Sequence, residues 1–226
     1  MDQALVREAR RLCQRYVDEV VLEFDLCPWA APALRANRVE ISVIADQIRV
    51  IPDDGPRVAE RVTQVLDTMA SDSRVELVLL VLPRFELGRL DLDVFQRMVR
   101  ELHTPTAPSF LLAAFHPDAR PDPSDPERMI PFLRRSPDPM LQAVRATVLD
   151  RIDPSRGSGT QFMDLAALLS GNMSSAPAPE PLRRRIARTN LETIQRHGIP
   201  TMEQAISDII EDRNRTYAKL GLSDAE

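Results

Sequence analysis

Residues of types that do chemistry together frame one proline-rich stretch, FHPDARPDPSDPERMIPFLRRSPDP (115–139): His116 near its start, Arg134 and Arg135 near its end. Histidine exchanges protons near neutral pH and arginine grips carboxylate or phosphate. Pro117 restricts His116 to extended geometry, and Asp118 could orient the imidazole, as a general base requires. The same ring could instead cap a strand by bonding to the loop. At the far end, Ser136 suits an N-cap and Pro137 the first helical position, so a helix is expected from Pro137 to about Leu149. Its N-terminus, preceded by two arginines, would form an anion site. Alternatively Asp138 already supplies the negative charge there and the arginines are solvated.

A third reactive type lies far upstream. Cys27, in LCPW, falls where the first helix should end at Pro28, a position that does not favour a thiolate. Trp29, the only tryptophan, either covers Cys27 in the core or lines a pocket with it. Cys13 lies beside the Leu12 face of the first helix and reads as packed. A metal set of Cys27, His116 and Asp118 lacks the paired spacing of metal sites, so no metal is expected. The RGSG run (156–159) follows no strand and resembles a phosphate loop only superficially. Nothing in the sequence names a cofactor.

The elements that must position these residues follow from periodicity. A helix runs from Asp2 to about Leu22, with Leu5, Leu12, Tyr16 and Val20 at helical spacing. RVEISVIA (38–45) alternates as a strand. A helix spans about 56–69, and VELVLLVLP (75–83) reads as a strand buried on both faces. A helix over 92–102 and a third strand, SFLLAAF (109–115), follow, the strand ending at His116. This order predicts an α/β fold, or an α+β variant, in which a small three-stranded sheet is layered with helices. Ligands of such sheets collect at the carboxyl ends of strands, where His116 lies.

Residues 1–152 should form this core domain, and 153–226 a linker and helical appendage packing on it. FMDLAALLSGNM (162–173) reads as a short apolar helix and SSAPAPEP (174–181) as linker. PLRRRIARTNLETIQRHG then forms a helix stopped by Gly198, and Thr201 with Gln204 caps a last one. Met202, Ile206, Ile209 and Ile210 on that last helix could serve a homodimer interface or pack on the core.

Composition narrows the classes. The net charge of −5 and the lack of aromatic interleaving near RRRIAR argue against nucleic acid. No apolar run reaches membrane length, and MDQALVREARR lacks the apolar core of a signal peptide, so a cytoplasmic protein with no membrane partner is expected. Lys219 is the only lysine among 29 basic residues. An arginine here is therefore weaker evidence of anion recognition than one chosen over lysine.

LCPWA, FHPD, RRSPDPMLQAVR and ARTNLETIQRHG, in this order, resemble a bacterial family catalogued as domain of unknown function 1415. The resemblance covers about residues 5–150 and 184–198. It marks Cys27, Pro28, His116, Pro117, Arg135, Ser136, Pro137, Pro139, Arg145 and Asn190. Arg134 stands where the family pattern has Asn, and no aromatic residue follows FHPD closely. Together the readings point to an enzyme or enzyme-like protein acting on a small anionic metabolite through a Cys27, His116 and Arg135 site. Arg134, Ser136, Trp29, Asp118 and Asn190 complete the binding set. The alternative is a non-catalytic module that binds a metabolite or a partner protein.

Overall fold

Helices with one apolar face alternate with short β-branched runs, and each pairing buries what neither could bury alone. The computed structural model describes residues 2–27, 30–48, 54–86, 88–103, 109–122, 124, 126–152 and 182–222. The expected helix over 162–173 and the linker over 174–181 lie outside the described residues, as does Trp29. Helix α1 (Asp2–Tyr16) buries Leu5, Ala9, Leu12, Cys13 and Tyr16. It continues as a π-helical turn over Val17–Leu22 and ends near Asp25, whose φ of 49° lies in the left-handed region that Asp tolerates. A short α2 (Ala30–Arg35) leads into β1 (Val39–Val43).

Then α3 (Gly55–Ser71), β2 (Leu77–Val81), α4 (Arg89–Leu102) and β3 (Phe110–Phe115) follow as the periodicity predicts. Next come a 3-10 turn (Pro126–Met129), a one-turn α5 (Ile130–Leu133) and β4 (Met140–Arg145). The chain goes on as α6 (Ala146–Ile152), α7 (Leu182–His197) and α8 (Ile199–Lys219).

The sheet has four strands in the order β1-β2-β4-β3. β1 and β2 are parallel, and β4 runs antiparallel to both β2 and β3. The expected helix over 137–149 is therefore replaced by a strand and a short helix. Two physical reasons account for it. Pro139 pushes Asp138 out of the helical region, so a helix starting at Pro137 would break at once. The inner edges of β2 and β3 also need hydrogen-bond partners, and MLQAVR supplies both ladders.

Each strand residue then faces one of two cores. Val78, Leu80, Phe110, Leu141 and Ala143 pack under α3 and α4. Leu79, Val81, Phe115 and Met140 pack under α1, α5, α7 and α8. Full burial of a Leu or Phe side chain stabilises by about 1.5–3 kcal/mol, and more than a dozen such residues fill the two layers.

The last helix begins at Ile199, one turn's start earlier than the Thr201 cap predicts, because Gly198 at φ 80° turns the chain directly from α7 into α8. Met202, Ile206 and Ile209 are buried in the chain's own core, and Ile210 packs against it. Of the two roles open to this apolar face, dimer interface or packing on the core, the described residues show it packed on the core. No helix among the described residues is long and apolar enough to cross a membrane.

Two polar devices pin the layers. The Arg145 guanidinium, at the end of β4, donates to the carbonyls of Met69, Ala70, Asp72 and Val75 at 3.0, 3.3, 2.7 and 2.6 Å. Helix α3 ends there, where the Met69 and Asp72 carbonyls also accept the N–H groups of Asp72 and Val75. The planar fork of one arginine adds a donor to each of the four while stacking 5.0 Å above the Phe110 ring. On the other face, the buried Asp138 carboxylate accepts from Arg213 Nε at 2.7 Å and from the Tyr217 hydroxyl at 2.8 Å.

Candidate functional site

On the α1 face, helix α1 lies over β1 and β2, and the remaining width of the sheet borders a cavity of about 740 Å³. Its floor comes from β3 and β4, where small Ala113 pairs with Gln142 across the ladder. Walls come from the π-helical turn, the Leu26–Leu34 region, α5, α6 and α7. The lining is mostly apolar with a few polar groups, and the volume falls in the range of small-molecule sites, roughly 300–1,000 Å³.

Three of the sequence-derived candidates meet in this cavity: Cys27, Arg134 and Asn190. Cys27 sits between the π-helical turn and α2, and its carbonyl accepts the Ala30 N–H at 2.9 Å. Arg134 closes α5 and holds its guanidinium 5.9 Å from the Phe115 ring centroid. Asn190 reaches the lining from α7 and is buried.

The charges on the lining are unequal. Arg38, Arg134, Arg151, Arg185 and Arg188 face one carboxylate, Glu76. Arg38 and Arg151 both bind Glu76, at 2.8 and 2.7 Å, and Arg151 leads in holding its carboxyl below the usual carboxylate range.

Two lining groups escaped sequence reasoning. Tyr16 is fully buried, and its hydroxyl has no hydrogen-bond partner among the described residues. Buried hydroxyls normally find one, so this exception calls for an explanation. Burial first, then nearby Cys13, keeps the phenol protonated far above its ordinary range. Gln142 is the other, a polar side chain at the centre of the strand floor. Tyr16 was hidden because a tyrosine on an apolar helical stripe reads as core. The signal for Gln142 was a lone amide inside MLQAVR, which a helix reading discards.

The remaining candidates lie elsewhere. His116 is buried and lines neither this cavity nor its neighbour. Its Nδ1 accepts the Asp118 N–H at 3.1 Å, which assigns the neutral ring's proton to Nε2. Asp118 Oδ2 is 3.6 Å from Nδ1 and its side chain is exposed. The backbone N–H of His116 donates to the Arg134 carbonyl at 3.2 Å, which ties the end of β3 to the turn that carries Arg134.

Arg135 and Asp118 line a second cavity of about 420 Å³ with Arg120 and Glu203. Arg135 Nε donates to the Pro117 carbonyl at 2.7 Å, bracing the HPD turn. Ser136 is buried, and its hydroxyl donates to the Asp138 carbonyl at 2.6 Å. It starts no helix, so the helix N-terminus expected to bind an anion there does not exist.

Cys13 is inert by environment: its thiol contacts Met140 Sδ at 3.9 Å, and burial pushes it up to about 12. Among the described residues no group of three or more His, Cys, Asp or Glu side chains is placed to hold a metal ion.

Neither the curated proteins nor the solved structures hold a match to the chain. The sequence pattern described as "Protein of unknown function (DUF1415)" matches residues 8–156, which span α1 through α6 and so every strand. Cys27, His116, Arg134, Arg135 and Ser136 fall within that match, whereas Asn190, Arg185 and Arg188 reach the cavity from beyond it. With about two thirds of its length covered by that pattern, the chain belongs to the DUF1415 family.

Proposed function

We propose that this chain binds a small organic anion, apolar over most of its length, in the cavity beneath α1, α5 and α7. The observation that carries the reading is the Tyr16 hydroxyl, buried without a hydrogen-bond partner among the described residues, at a lining where the described residues include five arginines and one carboxylate. A bound carboxylate would accept from Tyr16 and be balanced by the arginine excess, while the ligand's hydrocarbon lies against Leu79, Leu111 and Phe115.

Cys27 gives the same cavity a thiol, and the second reading is an enzyme that uses it. Binding without turnover is favoured by how the candidate bases among the described residues are already engaged. The carboxylate on the described lining is Glu76, already held by two arginines, and His116 has Nδ1 engaged by a backbone N–H.

The test is thermal unfolding with octanoate and octanol as probes. Octanoate should raise the melting temperature saturably, because binding to the native state stabilises by mass action. Octanol should do so less, and Arg134→Gln should remove the difference. Equal effects of both probes, or none from either, would overturn the reading.

A further inference from the structure

Helix α4 carries an apolar ridge that the other described residues leave largely uncovered. Leu90 is 80% exposed, Val94 42% and Leu102 43%, and half-buried Met98 lies between them in the same i, i+4 row. Soluble helices normally turn such a row inward, as α4 does with Leu92, Phe95 and Val99. Beside the ridge runs a second row, Arg89, Asp93, Arg97 and Glu101, in which the charge alternates. No ion pair joins any of these four to another described residue.

From these rows we infer that α4 is the self-association surface of the protein, pairing antiparallel with α4 of a second copy. The pattern is self-complementary in one orientation only. Across a two-fold axis at the level of Phe95 and Gln96, Arg89 meets Glu101 of the other copy, and Asp93 meets Arg97. The same axis sets Leu90 against Leu102 and Val94 against Met98. A parallel pairing would instead set every charge against its own kind.

Because one patch serves both subunits, the contact closes as a dimer and leaves no open end. A shallow crossing of about 20° keeps the pairs at both ends of the two helices within reach of each other. The helix is about 21 Å long, so the pair buries less than the roughly 1,200 Å² at which stable interfaces begin. The dimer is therefore weak, reversible and dependent on concentration.

Sedimentation equilibrium of the full chain across the micromolar range tests this. The wild type should rise reversibly toward the dimer mass, and Leu90→Glu should stay monomeric. Asp93→Arg and Arg97→Glu should each weaken self-association roughly tenfold or more when alone. Mixed in equal amounts, these two variants should dimerise again, because each repulsive pair becomes attractive. All three positions lie on a helix surface, and an unchanged near-ultraviolet circular dichroism spectrum checks that each variant is folded. A wild type that stays monomeric at the highest concentration, or single-charge variants that do not recover on mixing, would overturn the inference.

Discussion

The Tyr217 hydroxyl donates a 2.8 Å hydrogen bond to the Asp138 carboxylate, joining the last helix to the start of β4 in a fully buried contact. Arg213 completes the cluster with a 2.7 Å bond to the other oxygen while its guanidinium lies 4.7 Å from the Tyr217 ring. Removing a charged partner in such a place is costly, because the carboxylate stays buried away from water. Asp212, bound by Arg11 and Arg15 at 2.9 and 2.6 Å, fastens the same helix to α1.

Removing Arg213 should therefore destabilise strongly. Arg213→Ala is expected to cost about 3–5 kcal/mol, the penalty for removing the charged partner of a buried carboxylate. Tyr217→Phe should cost less, about 1.5–3 kcal/mol for one hydrogen bond to a charged group. Urea unfolding with an unchanged denaturant slope measures both. A loss below 1 kcal/mol for Arg213→Ala would mean that the pair behaves as a solvated surface contact.

Alkaline pH should unfold the protein through its buried acids. Burial pushes the Cys13 thiol from 9.0 up to about 12 and holds Tyr16 and Tyr217 protonated far above the usual tyrosine range. The native state thus keeps protons that the unfolded chain releases. The stabilisation is complete below about pH 9 and is lost as pH rises toward about 12. Each group contributes a slope of up to about 1.4 kcal/mol per pH unit. Cys13→Ala should shallow the decline between these limits, and an identical slope in that variant would contradict the assignment.

Arg145 should be irreplaceable by lysine. Arg145→Lys cannot fork to four carbonyls, and Arg145→Ala is expected to cost about 2–4 kcal/mol. The readout is hydrogen exchange in the last turn of α3, which should quicken in both variants before the rest of the sheet does. Uniform quickening everywhere would show a global loss instead.

The parts of the fold set by local pattern were legible in the sequence. Helices α1, α3 and α4 and strands β1 to β3 each announce themselves by period, and His116 does follow directly on β3. β4 was not legible, because MLQAVR fits either period and the deciding influence is long-range, the two open edges of β2 and β3. That error carried into the site. Reading Ser136–Pro137 as a helix start put Arg135 beside a helix N-terminus, whereas in the folded chain its Nε donates to the Pro117 carbonyl and no helix begins there. Tyr16 and Gln142 come together only because α1 packs on the sheet face to which β4 contributes Gln142, a long-range pairing that no local pattern carries.

The most direct measurement for the cavity is the alkylation rate of Cys27 in a Cys13→Ala background as octanoate is added. The account predicts a saturable slowing, weaker with octanol and lost in Arg134→Gln, because the probe and the thiol share one cavity. A rate indifferent to octanoate, in a chain that remains folded, would contradict the proposal that this cavity binds organic anions.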